Sequence, residues 1–157
     1  MSSPEVERFK YVVGHFVTGV AVITAQGDDA PLGFTCQSFG SLSLEPMLVS
    51  FAAQVQSRSW PLINRVGRIG ISILSTGQES LARGFAMSGP NKFVDVEWSP
   101  SPHGAPLLAG ALAHLDGEVV SVTTHGDHDV AIVAVDFAQS HPGSPLLFFR
   151  GGFDVIH

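Results

Sequence analysis

A row of four small polar side chains has the composition of a ligand-binding wall. They are Thr35, Cys36, Gln37 and Ser38. Each can bond to the polar edge of a ring or to a phosphate, although the same composition also suits an ordinary turn. The chain has one cysteine, so an intrachain disulfide is excluded, and no histidine can be placed beside the thiol as the base of a nucleophilic pair.

A guanidinium between two hydroxyls stands at the predicted start of a helix, at Ser57, Arg58 and Ser59. The free N–H groups and the dipole of a helix start favour a phosphate, and these side chains would add donors. The alternative is that Ser57 only caps the helix. Five of the 8 basic residues lie between residues 58 and 92, opposed there by Glu79 alone. In a chain of net charge -6, this local excess suggests an anion site, although a solvated basic face would have the same composition.

Two further segments could take part in chemistry. The HGDHD segment, residues 125–129, could ligate a metal, but a hairpin connection accounts for it more simply, and no metal site is predicted. His128 is a candidate for orienting a substrate, because the charge of histidine changes near neutral pH. In the FFRGG segment, residues 148–152, the glycines would let a flat ligand approach the backbone, unless the segment is only a strand end.

Strands outnumber helices among the predicted elements. A helix begins at Pro4, with Val6, Phe9, Val13 and Phe16 on one face. Two more helices are predicted at 57–66 and from a capping box at Thr76 to residue 85, with a loop over 87–106. Strands are predicted at 19–25, 32–37, 47–52, 68–74, 111–124, 129–138 and 145–150. The fold class is therefore mainly β: a closed or nearly closed barrel with a few peripheral helices, in a single domain over residues 1–157.

Composition excludes several classes of protein. Net charge -6 and a pI near 5.5 argue against nucleic-acid binding, and no apolar run is long enough to span a membrane. The first residues lack the features of a signal peptide, which predicts a cytoplasmic location. No two glycines are separated by a single residue, so the GxGxxG motif of a Rossmann dinucleotide site is missing.

Only 14% of residues are charged, whereas 45% are hydrophobic, so we expect another subunit or a ligand to cover apolar surface. The apolar run 130–135 predicts a strand buried on both faces.

Several motifs, in order along the chain, resemble the short-chain flavin reductase family, the reductase components of two-component flavin-dependent monooxygenases. They are FVTGV at 16–20, GFTCQSF at 33–39, SRSW at 57–60, GAPLL at 104–108, GDH at 126–128 and PLLFFRG at 145–151. The resemblance implies an FMN-binding split β-barrel that forms a homodimer. It further implies a hydride donor, NADH with NADPH as the alternative, and FMN or FAD as the acceptor.

The resemblance also implies roles for individual residues. It places Thr35, Cys36, Gln37 and Ser38 along the flavin ring and ribityl chain, with Ala52, Ala53 and Gln54 beside them. The phosphate would be held by Ser57, Arg58 and Ser59. Lys92 and Phe93 would close over the flavin tail. The catalytic residue would be His128, which faces the nicotinamide with Phe149, Arg150 and Gly151 nearby, while His125 would point away.

The resemblance implies that the chain supplies reduced flavin to a separate oxygenase, in aromatic or steroid breakdown. Two alternatives stay open on the same barrel. One is an oxidase that keeps its flavin bound and acts on its own substrate, and the other is a non-catalytic module that binds flavin or haem.

Overall fold

The computed structural model describes residues 2–155, which contain twelve strands and three helices joined by turns and loops. The helices are α1 (Pro4–Val13), α2 (Ser59–Val66) and α3 (Glu79–Ala86). The strands are β1 (Thr18–Gly19), β2 (Ala21–Gln26), β3 (Pro31–Cys36), β4 (Gly40–Leu44), β5 (Met47–Gln54), β6 (Arg68–Ile73), β7 (Trp98–Pro100), β8 (Pro106–Leu108), β9 (Ala113–His125), β10 (His128–Ser140), β11 (Leu146–Phe149) and β12 (Gly152–Val155). The prediction of a mainly β fold with a few helices is confirmed.

Seven antiparallel strands form the principal sheet, in the order β3-β2-β6-β9-β10-β5-β4. The sheet curls so that β3, at one edge, contacts β5, next to the other edge, which makes a nearly closed barrel. Two small sheets lie outside it: β1-β11-β12 and β7-β8. None of the described helices is long and apolar enough to cross a membrane.

Two apolar clusters form the core. The first fills the barrel with alternate residues of the strands, among them Ile23, Phe51 and Ile71, and α2 inserts Trp60 and Ile63 into it. Trp60 meets Phe51 edge to face, with ring centroids 5.5 Å apart. The second cluster joins α3 to the small sheets through Phe85, Leu74, Leu108 and Leu146. Burial of these side chains fixes where both helices sit.

Helix α1 begins as predicted but ends early. The Ser3 hydroxyl accepts a hydrogen bond from Val6 N at 3.2 Å, and Pro4 takes the first helical position. The helix ends at Val13, so Phe16 lies beyond it, and none of its residues is buried in this chain. The predicted apolar face is therefore exposed, with 66% of Phe9 and 79% of Phe16 accessible.

The predicted capping box at Thr76 is wrong. Helix α3 starts after Gln78, and no side chain caps it there. The Gln78 amide oxygen instead accepts from Ser75 N at 2.9 Å, and its nitrogen donates to Ala109 O at 3.0 Å. Gln78 therefore binds the loop before α3 to the loop after β8, and this tertiary use outweighs the local capping pattern.

The sequence missed four short strands, and one long strand differs from expectation. Strands β4, β7, β8 and β12 have five residues or fewer, and β4 and β7 lack buried residues that would create an alternating pattern. In β10, only Ala131 and Val133 of the run 130–135 are buried, and the residues between them are half-buried. One face of the run thus lies in the core, and the other faces outward.

Candidate functional site

A cavity of about 610 Å³ opens where five elements meet. These are the end of β3, the end of β5, the start of α2, the end of α3 and the hairpin between β9 and β10. Its volume lies in the range of small-molecule and cofactor sites. Most of the residues predicted from sequence line it: Thr35, Cys36, Gln37, Ser38, Ala52, Ala53, Gln54, Ser57, Arg58, Ser59, Lys92 and His128.

One hydroxyl closes the barrel at the cavity wall. Ser38 Oγ accepts from Ala52 N at 2.8 Å and donates to Ala52 O at 3.1 Å, so it acts as a strand partner between the β3 and β5 edges. Its single proton is then used, and the Cys36 thiol, 3.2 Å away, must be the donor to Ser38 Oγ. Burial raises the pKa of the Cys36 thiol, which keeps it protonated and suits a structural donor rather than a nucleophile.

Helix α2 presents its amino terminus to the cavity. The helix starts at Ser59, and the Ser57 hydroxyl accepts from Trp60 N at 3.2 Å. Ser57, Arg58 and Ser59 all line the cavity at this end. The Ser57 hydroxyl therefore caps the helix, as the alternative interpretation required, and also stands where an anion would bind.

Lys92 adds a second positive charge beside the helix start. Its ammonium donates to Ser59 Oγ at 3.3 Å, to Gly33 O at 3.0 Å and to Phe85 O at 3.2 Å. All three acceptors are neutral, and burial lowers the pKa of Lys92. An anion in the cavity would supply the missing countercharge. Since no Asp or Glu of the described chain lines the cavity, its chemistry favours an anionic ligand.

The β9–β10 hairpin brings His128 to the cavity rim. His128 Nδ1 lies 2.8 Å from the Asp127 carboxylate, which can only accept, so Nδ1 carries the proton. The other ring nitrogen, Nε2, is then the acceptor in the neutral ring. The same hydrogen bond holds the pKa of Asp127 below its ordinary value. His125 lies directly opposite His128 across the hairpin, so the strand register alone does not turn it to the other face. It is nevertheless absent from the lining, and its ring contacts Thr123 at 3.2 Å.

The basic residues between 58 and 92 do not form one cluster. Arg58 and Lys92 line the cavity. Arg68 lies 2.6 Å from the Asp136 carboxylate on the barrel wall, and Arg83 lies 2.8 Å from Glu79 within α3. Arg65 lines a separate groove by the β2–β3 turn. The predicted anion site thus contains two of the five basic residues, Arg58 and Lys92. Arg68 and Arg83 are paired with carboxylates, and Arg65 lies elsewhere.

Four predicted site residues lie outside this cavity. Phe93 packs edge to face on Phe85, with ring centroids 4.9 Å apart. The FFRG turn lies beside the end of α1, where Arg150 N donates to Gly14 O at 2.8 Å. There the Arg150 guanidinium covers the Phe149 ring at 4.6 Å, and Gly151 follows with a φ of 79°. The structure therefore does not bring Phe149, Arg150 and Gly151 to His128 within one chain.

Sequence reasoning missed part of the lining. The additional residues are Phe34, Gln56, Phe85, Ala86, Met87, Ser88 and Gly89. Ala86 is the last residue of α3 and residues 87–89 follow it directly, where the small residues Ser88 and Gly89 signal only a loop. What brings them to the cavity is the packing of α3, where Thr35 Oγ1 donates to Ala82 O at 2.6 Å. The described residues contain no group of three or more His, Cys, Asp or Glu side chains that could hold a metal.

Comparison with known proteins shows which sequences and folds this chain is similar to. The chain is 44% identical over 150 residues to the reductase subunit HsaB of a flavin-dependent monooxygenase from Rhodococcus jostii, covering 95% of this chain and 77% of that protein. The crystal structure of nitrilotriacetate monooxygenase component B from Mycobacterium thermoresistibile superposes with a TM-score of 0.94 at 40% identity, covering 98% and 87%. The NADH:FAD oxidoreductase SgcE6 of Streptomyces globisporus, in complex with NAD and FAD fragments, gives a TM-score of 0.92 at 33% identity, covering 100% and 96%. Residues 13–157 match the family described as flavin reductase like domain, and the chain belongs to that family.

Proposed function

We propose that the chain is an NADH-dependent flavin reductase, working as a single domain, that passes reduced FMN or FAD to a separate monooxygenase. The observation that carries the proposal is a cavity with two cations, a helix amino terminus and no carboxylate, in a member of the flavin reductase family. An isoalloxazine ring with a phosphate tail has the matching chemistry: a flat ring with polar edges, and an anion.

The donor set fits such a ligand. Ser57, Arg58 and Ser59 would hold the phosphate at the start of α2, and the Lys92 ammonium would add positive charge beside them. The walls formed by residues 35–38 and 52–54 offer small side chains and backbone groups, which let a ring approach closely. Phe93 would support Lys92 from the second core cluster rather than touch the flavin.

When bound, the flavin supplies the hydride acceptor, and the chain's residues have little proton chemistry to perform. Their work is to hold the two rings in contact and keep water from between them. His128 would orient the carboxamide of the nicotinamide, because its proton on Nδ1 leaves Nε2 free to accept from an amide N–H. No residue near the ring needs to act as a base.

A homodimer is the second part of the proposal. Helix α1 exposes Val6, Phe9 and Val13, and Phe16 follows them, which is a large apolar surface for a chain of this size. The outward face of β10, with Val130 and Ile132, is only half-buried. A second copy would cover such surface and could bring Phe149, Arg150 and Gly151 to a neighbouring cavity. A particle of 16.6 kDa by sedimentation at micromolar concentration would contradict the dimer.

A cytoplasmic location follows from the proposed reaction, because NADH is found there and the free Cys36 thiol suits a reducing compartment. Aromatic or steroid breakdown is the proposed setting. It rests on the relative HsaB, the reductase subunit of a flavin-dependent monooxygenase.

The deciding experiment mixes the cofactor-free protein with NADH and follows NADH absorbance before and after FMN or FAD is added. We expect oxidation only after flavin is present, over many turnovers under air. A yellow protein that keeps its flavin and does not oxidise NADH would favour the oxidase alternative. Cofactor binding without any hydride transfer would favour the non-catalytic module.

A further inference from the structure

A single carboxylate joins helix α2 to the β9–β10 hairpin. Asp129, the second residue of β10, accepts a hydrogen bond from the Trp60 indole Nε1 at 2.8 Å and another from Thr124 Oγ1 at 2.6 Å. Trp60 belongs to α2 and is 1% exposed, whereas Thr124 lies opposite Asp129 on β9. We call these three residues the Asp129 clamp.

The two elements that the clamp joins both contribute side chains to the cavity. The start of α2 contributes Arg58 and Ser59, and the hairpin contributes His128. Because successive residues of a strand face opposite sides, His128 reaches the cavity while Asp129 turns toward the barrel end where Trp60 sits. Asp129 does not line the cavity, so any effect it has on a ligand must act through its neighbours.

The other main contacts of these two elements are with different strands. The hairpin is held to β5 by the β10–β5 ladder, in which His128 pairs with Gln54, and by Val55 N, which donates to Asp127 O at 3.0 Å. Helix α2 packs on β2, β3 and β6, and the indole ring of Trp60 contacts apolar rings such as that of Phe34, with centroids 6.3 Å apart. Apolar packing tolerates small shifts, whereas a charge-assisted hydrogen bond fixes distance and direction. The two bonds also hold the pKa of Asp129 below its ordinary value, so the acceptor is charged at neutral pH.

We propose that Asp129 is a positioning residue for hydride transfer. By holding the start of α2 and the hairpin at one spacing, it sets the distance between a flavin anchored by its phosphate and a nicotinamide placed by His128. This inference rests on the proposed function and adds a residue that touches neither ligand.

The test compares Asp129→Asn with Asp136→Asn. The first variant keeps the shape of the side chain but can accept only one of the two bonds. The second removes a carboxylate from the same strand that binds Arg68 away from the cavity, so it controls for a loss of stability alone. We expect the anaerobic rate constant for FMN reduction by saturating NADH to fall about tenfold or more in Asp129→Asn, because misplacement by ~1 Å can cost on the order of 100-fold. The dissociation constants of FMN and NADH should stay within about threefold of wild type.

A second variant tests the same bond from its other end. Trp60→Phe keeps an aromatic ring in the core but loses the indole donor, so it should slow FMN reduction to a similar extent. Combining it with Asp129→Asn should cost little more, since residues that act through one bond are not additive. In a Trp98→Phe background, where Trp60 is the single tryptophan, Asp129→Asn should also shift the emission of Trp60.

The outcomes separate cleanly. FMN reduction at the wild-type rate in Asp129→Asn, a loss no larger than in Asp136→Asn, or fully additive losses in the double variant would each overturn the inference while the proposed function stands. A wild-type protein that reduces no flavin would overturn both. If Asp129→Asn does not fold, Trp60→Phe alone decides, and a wild-type rate in that variant overturns the inference.

Discussion

Replacing Ser38 with alanine tests whether one side chain closes the barrel. The variant removes both hydrogen bonds to the Ala52 peptide and the acceptor for the Cys36 thiol. A neutral hydrogen bond contributes about 0.5–1.5 kcal/mol net, and Ser38 is exposed enough for water to replace part of the loss. We therefore expect the free energy of unfolding to fall by about 1–2 kcal/mol.

The same change should appear in ligand binding, since Ala52 and the residues beside it form the cavity wall. A loosened wall must close before a flavin can bind, and if the whole cost of about 1–2 kcal/mol is expressed there, FMN affinity falls by about 5- to 30-fold. Urea unfolding at one fixed protein concentration measures the first effect, because dimerisation would otherwise shift the midpoint. FMN titration measures the second.

Two variants serve as controls for Ser38→Ala. Ser38→Thr keeps the hydroxyl and should restore most of the lost stability. Ser80→Ala, on the exposed face of α3, should leave the unfolding midpoint unchanged. If Ser38→Ala unfolds at the wild-type urea concentration with an unchanged slope, Ser38 does not close the barrel and the reasoning from its two bonds is refuted.

The remaining predictions concern charge, orientation and pH. Arg58→Ala should weaken FMN binding by about 1.5–3 kcal/mol but hardly change the use of riboflavin, which has no phosphate; equal losses for both would place the phosphate elsewhere. His128→Ala should raise the KM for NADH and slow flavin reduction while FMN affinity holds, and His125→Ala should match wild type in steady-state assays; the reverse pattern would mean that the wrong histidine is assigned. Burial lowers the pKa of His114 from its ordinary value of 6.5, with the charge of His141 adding to the effect. The unfolded chain then binds more protons as pH falls below about 6.5, so stability should decline there, and His114→Gln should flatten the unfolding midpoint measured against pH.

Long elements and the polar clusters could be predicted from the sequence. Apolar runs and β-branched residues placed β2, β5, β6, β9 and β10 to within a few residues. Strand β5 alternates between buried and less buried residues, whereas β2 and β6 are buried on both faces along most of their length. Strand β4 leaves no such signal: it lies at the edge of the sheet and buries none of its side chains. Strand β4 forms because it pairs with β5, and the residues of β4 alone do not indicate that pairing.

The sequence predicted those parts of the candidate site whose residue types indicate ligand binding. These are the small polar side chains and the guanidinium at a helix start. The loop after α3 was predicted, but its place in the cavity lining was not, because only the docking of α3 brings residues 87–89 there. Arg68 was wrongly counted in the positive charge of the predicted anion site. In the structure it lies beside the carboxylates of Asp116, Glu118 and Asp136, on β9 and β10.

The pairing of β1 with β11 has a consequence for synthesis of the protein. Thr18 lies opposite Phe148, and Arg150 N donates to Gly14 O. Strand β1 is therefore synthesised early but cannot pair until β11, near the end of the chain, has been synthesised. In a chain leaving the ribosome at about 5–20 residues per second, β1 stays without its partner strand for on the order of ten seconds before β11 emerges. Such distant contacts also slow the folding step itself. We therefore expect slower translation of the second half of the chain to increase the dependence of its folding on chaperones.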